Sequence, residues 1–297
     1  MSALISPKEL RGRLDDVVVV DVQWSLSTAV GPAGRDLYAA GHLPGAHFVD
    51  LDAELSGCPG PRGRHPLPTA WSVEAALRRC GVEEDSAVVV YDQGPSMAAA
   101  RAWWVFCYFG VGHVRVLDGG LTAWRAAGGP VTTEVPPPGM GTFTAHPGGI
   151  PLLDADGAAE VARCGVLLDA RSPERYAGLV EPIDRVAGHI PGAVCAPTVD
   201  NLRQDGRFLS HADLRERFAA LGVAPGRPVG TYCGSGVTAA HQALALHEIG
   251  VEAPVYVGSW SEWIADPQRP VATGALAWRK PRARETPGLS RGRADRR

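Results

Sequence analysis

Cys233 stands in "GTYCGSGVTAAHQALALHEIG" (230–250), between a short β-branched run and a helical pattern. A cysteine packed in a core needs no glycines around it, whereas one that meets a ligand on a loop of exposed amides does. Gly234, Ser235, Gly236, Val237 and Thr238 follow it, and glycine permits the positive φ and close backbone approach of a curved loop. In such a loop the N–H groups converge on the thiol, and converging amides at a helix N-terminus stabilise negative charge. Surroundings of this kind bring a cysteine pKa from about 8.5 into the range ~3.5–7.5, and the thiolate is the nucleophilic form. The residues therefore fit a loop that activates a sulfur and receives an anion. On the loop alone, a buried apolar cysteine beside a tight turn fits equally well.

The elements that must hold this loop occur twice. "VVVVDVQWSL…GRDLYAAGHLPGAHFVD" (17–50) is answered by "GVLLDARSPERYAG…VAGHIPGAVCAPTVD" (165–200), "LRRCGVEEDSAVVVYDQGPSMAAARAWW" (77–104) by "LRERFAALGVAPGRPVGTYCGSGVTAAHQA" (214–243), and "VRVLDGGLTAW" (114–124) by "APVYVGSWSEW" (253–263). Three blocks in one order at similar spacing mark an internal repeat. Val17–Asp21, Ala87–Tyr91 and Val114–Leu117 read as buried parallel strands, as do Val166–Asp169, Val229–Tyr232 and Val255–Val257. Helical patterns fall at Met97–Phe109, near 211–221 and near 237–249. Alternating strand and helix predicts an α/β fold with two domains, each a parallel sheet covered by helices on both faces. Ligands of such sheets sit beyond the carboxyl ends of the strands, where Cys233 falls. The expected boundaries are 1–133 and 151–275, joined by the Pro- and Gly-rich segment 134–150.

Comparison of the copies moves the cysteine toward chemistry. Where the second copy has "VGTYCGSGVT" the first has "VVVYDQGPSM", with Asp92 in the cysteine's place. A carboxylate is no soft nucleophile, so the second copy reads as catalytic and the first as scaffold. Cys58, Cys80, Cys107, Cys164 and Cys195 sit in no glycine-rich strand-to-helix loop and read as core or surface residues. The six cysteines make no CxxC and no Cys/His pair at zinc spacing, which predicts a reduced, cytoplasmic protein with no metal. With 45% apolar and 21% charged residues the chain is an ordinary globular one. It has no run of ~18 apolar residues to span a membrane and no signal-like start. The tail 276–297 is basic, with eight basic against two acidic residues over 279–297. No aromatic or fold motif lies within 279–297, so that charge reads as a mobile terminus rather than a nucleic-acid contact.

Taken together, "GHLPGA" and "GHIPGA", "SMAAARAWW", "VLDGGLTAW", "YCGSGVTA" and "GSWSEW" resemble the tandem-domain rhodaneses, which are sulfurtransferases. The resemblance covers about residues 3 to 274, and "CGSGVT" is similar to the 3-mercaptopyruvate branch. It implies that Cys233 takes sulfur from 3-mercaptopyruvate as a persulfide, releases pyruvate, and passes the sulfur to cyanide or a thiol, such as a thioredoxin-like protein. No cofactor is implied. Arg175 and Arg185 match arginines that hold the donor's anionic end, in keeping with bidentate guanidinium–carboxylate pairing. Asp169 matches an aspartate beside the active loop. Ser235 is expected to form a proton relay with His42 and Asp36 of the first copy, whereas His189 reads as an anchor of its "HIPGA" turn.

Three rivals remain at this stage. A thiosulfate sulfurtransferase differs in the leaving group, and the uncharged Gly234–Ser235 pair provides no cation within the loop for a sulfonate. A persulfide carrier without turnover shares the same fold. A cysteine phosphatase on a related fold needs arginine six positions after the cysteine, where this chain has Ala239.

Overall fold

A computed structural model describes residues 2–25 and 33–274. In the first copy β1 (Leu4–Ile5), β2 (Val18–Asp21), β3 (His47–Phe48), β4 (Ala87–Tyr91) and β5 (His113–Leu117) form one sheet in the order β1-β5-β4-β2-β3. In the second, β6 (Leu152–Leu153), β7 (Val166–Asp169), β8 (Val194–Cys195), β9 (Val229–Tyr232) and β10 (Val255–Tyr256) repeat it as β6-β10-β9-β7-β8. The paired strands are parallel throughout. Valine side chains stiff at χ1 suit this pleated, doubly covered surface. Along β4 the two faces separate cleanly: Val88 and Val90 join one core, Val89 and Tyr91 another. The α/β architecture is thus the one the strand–helix alternation predicts. Its edge strands β1, β3, β6 and β8 escaped sequence reading, because two residues carry no periodicity.

The copies are fused through one core. Val88 and Val90 of the first copy and Leu168 and Val229 of the second belong to the same apolar cluster. Between the sheets lie the helices Met97–Tyr108 and Val237–Glu248, packed on each other and buried nearly all round. Apolar residues on every side of a helix suit such an interior position, and the alanines of both let the backbones approach closely. Each helix follows a loop at the carboxyl end of a central strand, β4 or β9. Packing them together sets the Asp92 and Cys233 loops across one domain junction.

Among the described residues no helix is long and apolar enough to cross a membrane. The basic segment 276–297 lies outside the described residues.

Candidate active site

Cys233 follows β9 directly, and its Sγ accepts hydrogen bonds from the backbone N–H groups of Ser235 (3.4 Å) and Gly236 (3.1 Å). The sulfur's residue is buried, at 2% exposure. Ser259, the first residue of the short helix after β10 (Ser259–Trp263), accepts from the Cys233 N–H at 3.1 Å and gives its own hydroxyl proton to Tyr256 O. Gly236 has φ of +83°, and a Cβ there would stand 2.4 Å from the carbonyl oxygen of Val257, so no other residue fits that turn. The helix begins at Val237, leaving the first-turn amides without helical partners.

The first copy shows what such a loop holds. Asp92 Oδ1 accepts from Gly94 (3.0 Å) and Ser96 (3.1 Å), and Oδ2 accepts from Ala98 (2.9 Å) and Ala99 (3.2 Å). Counted from the helix starts at Met97 and Val237, Ala98 and Ala99 correspond to Thr238 and Ala239. The carboxylate therefore fills with its own oxygens the ground that an extra anionic atom on Cys233 would occupy. Burial pushes the Asp92 carboxyl up, against the pull of these four N–H groups. Asp92→Asn puts an NH₂ among backbone donors and should cost roughly 1–3 kcal/mol of stability. Activity per folded molecule should stay within a fewfold of wild type, which thermal melts and active-site-normalised rates would check. A loss as deep as that caused by removing the Cys233 sulfur would mean the copies are not catalytically distinct.

Ser235 finds its partner in a residue that sequence reasoning missed. His65 Nδ1 lies 2.7 Å from Ser235 Oγ, and His65 Nε2 lies 3.1 Å from Asp52 Oδ1. A carboxylate only accepts, so Nε2 carries the proton toward Asp52 and Nδ1 is open to the serine hydroxyl. The hydrogen bond from His65 holds the Asp52 carboxyl below its usual range, and Trp24 Nε1 donates to the same carboxylate at 3.0 Å. The expected relay through His42 and Asp36 is corrected by this geometry. His42 is fully buried, with Nδ1 2.8 Å from Tyr38 O and Nε2 3.0 Å from Glu134 O, and its ring stacks on Tyr38. Asp36 accepts from the Ala33 N–H at a helix start. His189 does in the second copy what His42 does in the first, bonding Tyr176 O and stacking on Tyr176. A histidine shared by both copies holds the turn common to both.

The segment 51–69 that delivers Asp52 and His65 is longer than its counterpart 201–210. It crosses to the second domain, where Gly63 lies against Gly258 and the Arg64 N–H donates to Ser261 Oγ at 3.1 Å. Its unshared length, with a histidine and two arginines among prolines and glycines, was the available signal.

Arginines gather at Gly234. A Cβ on that residue would lie 2.8 Å from Arg64 Nη2 and 3.5 Å from both Nη1 and Nη2 of Arg175. Arg175 binds Glu181 through Nε (3.1 Å) and Nη2 (2.6 Å), and its Nη2 also reaches Asp184 at 3.1 Å. Arg64 Nη1 pairs with the other oxygen of Asp184. Burial pushes the Asp184 carboxyl up while both arginines pull it down; burial also pushes Glu181 up, but Arg175 leaves it below its usual range. Two N–H groups, Arg175 Nη1 and Arg64 Nη2, are left facing Gly234 with no protein acceptor among the described residues. The loop thus has cations beside it, Arg64 from the first domain and Arg175 from its own, rather than at residues 234 and 235. Arg185 donates to Ile264 O at 2.6 Å, and Asp169 clamps Arg171, accepting its Nη2 at 2.7 Å and its backbone N–H at 3.0 Å.

The rhodanese-like domain model matches residues 6–127 and 153–266. A Mycobacterium tuberculosis protein named "Putative thiosulfate sulfurtransferase SseB" is 47% identical over 280 residues, covering 91% of this chain and 97% of that protein. A Pseudomonas aeruginosa protein named "Probable 3-mercaptopyruvate sulfurtransferase" is 47% identical over 282 residues, covering 91% and 98%. The crystal structure of SseA from Escherichia coli, a 3-mercaptopyruvate enzyme, superposes with a TM-score of 0.78 at 30% identity, covering 88% of this chain and all of the other.

Proposed function

The chain belongs to the rhodanese-like domain family and is a sulfurtransferase acting through a cysteine persulfide, and from that premise we propose that Cys233 carries the sulfur and thiosulfate donates it. The Cys233 thiolate attacks the outer sulfur of thiosulfate, the S–S bond of the donor breaks, and sulfite leaves with the bonding pair. The sulfur added to Cys233 moves into reach of the first-turn amides, as the Asp92 carboxylate does in the other copy. A thiolate or cyanide then attacks the outer sulfur and the Cys233 thiolate departs.

The observation that carries the thiosulfate reading is the position of Arg64 beside Arg175 at Gly234. The two free N–H groups converge on the space in front of the loop, where a sulfonate would sit while its sulfane sulfur meets Sγ. The name carried by the Mycobacterium tuberculosis relative supports the same reading. Comparing kcat/KM for thiosulfate and 3-mercaptopyruvate tests it. Arg64→Gln should lower the thiosulfate value by about one decade, the effect of losing one charge-assisted contact. A wild-type enzyme that ignores thiosulfate would refute the donor assignment.

A second reading, 3-mercaptopyruvate as donor, is favoured by the Ser235–His65–Asp52 line. Cleaving a C–S bond leaves a pyruvate enolate that must take up a proton, whereas sulfite departs without one. The donor's own S–H supplies that proton: Ser235 Oγ takes it as His65 Nδ1 accepts the serine's proton, and the same two atoms return it to the enolate carbon. His65→Ala should therefore depress mercaptopyruvate turnover by at least about tenfold while thiosulfate turnover falls much less. Equal losses with both donors would remove the reason for this reading.

A further inference from the structure

Arg101, in the first copy's helix Met97–Tyr108, is completely buried. Its Nη2 donates to the carbonyls of His65 (3.0 Å), Leu55 (3.3 Å) and Pro66 (3.4 Å). No carboxylate pairs with it among the described residues, and its Nε and Nη1 have no hydrogen-bond partner. A charge so far from water ordinarily has a counter-ion beside it. Nη1 lies 3.3 Å from where a Cβ on Gly236 would stand, so the unused donor faces the loop whose Gly236 N–H holds the Cys233 sulfur. Burial pushes the guanidinium down to about 10 and negative charge on Cys233 pulls it back up, so it remains a cation at neutral pH.

The second copy gives the comparison. Counted from the helix starts, Arg101 corresponds to His241, also fully buried. His241 Nδ1 lies 2.7 Å from Thr198 Oγ1, and Nε2 faces the backbone of Pro95, in the Asp92 loop, outside ordinary hydrogen-bond geometry. Burial pushes this imidazole down to about 3, so it is uncharged. Each helix thus sends one side chain across the junction to the other copy's loop. A cation reaches the loop built on a thiol, and a neutral ring reaches the loop that already holds a carboxylate.

We propose that Arg101 is a positioning residue for sulfur transfer, the first domain's fixed positive charge behind the Gly236 turn, holding the negative charge of the Cys233 sulfur and of its persulfide. The proposal rests on Cys233 being the sulfur carrier. Around the same sulfur, Arg64 and Arg175 are tied to Asp184 and Glu181 at Gly234, and His65 is tied to Asp52 at Ser235. Those groups face the donor and the serine, whereas Arg101 lies behind the turn. Arg101 should therefore act on both donors alike, whereas loss of His65 separates them.

The test uses full-length Arg101→Met and Arg101→Lys proteins with active sites counted as persulfide formed on Cys233. Arg101→Met should lower kcat/KM for thiosulfate and for 3-mercaptopyruvate by the same factor, on the order of tenfold. Alkylation of Cys233 by iodoacetamide should slow with it and shift to higher pH. Arg101→Lys, which keeps the charge, should recover most of each loss, a pattern that mere loss of packing would not give. Should Arg101→Met fail to fold, Arg101→Gln keeps donors for the three carbonyls without the charge and carries the same expectations. Folded neutral variants that alkylate and turn over at the wild-type rate would overturn the proposal, as would a lysine variant no better than the neutral ones. If wild-type Cys233 acquires no sulfur at all, the carrier reading fails first and this proposal falls with it.

Discussion

Cys233→Ser should abolish sulfur transfer with either donor and leave the fold intact. The sulfur takes two amide hydrogen bonds at the end of β9, and a serine hydroxyl can occupy the same turn without disturbing the helix behind it. Oxygen cannot form or release the sulfur–sulfur bond, so the loss should reach the detection limit rather than a fraction. The remaining thiols offer no substitute. Burial pushes Cys80 and Cys107 up to about 12 and Cys195 to about 11, which leaves almost no thiolate at neutral pH. Cys58 and Cys164 are exposed on the surface, outside any glycine-rich strand-to-helix loop. Peptide mass spectrometry after donor exposure should place one added sulfur on Cys233 in the wild type and none on any peptide of the variant. Sulfur found instead on Cys58 or Cys195 would defeat the assignment.

Arg175→Gln should give the next largest loss, one to two decades in kcat/KM for both anionic donors. That range is the ~1.5–3 kcal/mol carried by a charge-assisted contact, expressed as a rate. Arg175 serves the site twice. Its Nη1 faces the space over Gly234, while Nε and Nη2 hold Glu181 and Asp184. Losing the guanidinium also leaves Glu181 to Arg171, whose Nη1 lies 3.4 Å away, and Asp184 to Arg64, so the melting temperature should drop as well. Counting active sites by persulfide yield separates the two effects. Arg175→Lys should fall between, because an ammonium offers a point charge where the guanidinium spans two carboxylates and a donor at once. Unchanged kcat/KM for both donors in the folded glutamine variant would show that the donor's charged end lies elsewhere.

What sequence alone determines here is local or repeated. The strand–loop–helix around Cys233 is legible because its signals, a β-branched run, glycines and a helical pattern, are adjacent in the chain. The tandem α/β organisation is legible because three blocks recur in order, and the contrast of Asp92 with Cys233 singles out one loop. Repetition also misled. The "GHLPGA" motif drew attention to His42, but a residue present in both copies does work common to both, and the same stacking on tyrosine recurs at His189. Residues that distinguish the second copy's loop come from the first copy, on a segment without counterpart and at a position where the shared helix differs. Asp52, Arg64 and His65 lie on the longer segment 51–69, and Arg101 lies within a helix whose pattern reads only as core. Tertiary structure decided their roles, since nothing near them in the chain names a partner more than a hundred residues away. Their meeting with Cys233 depends on how closely two alanine-rich helices pack between the sheets, and on a glycine-bearing segment lying against Gly258. That packing energy is spread over the whole junction, so no single stretch of sequence declares it.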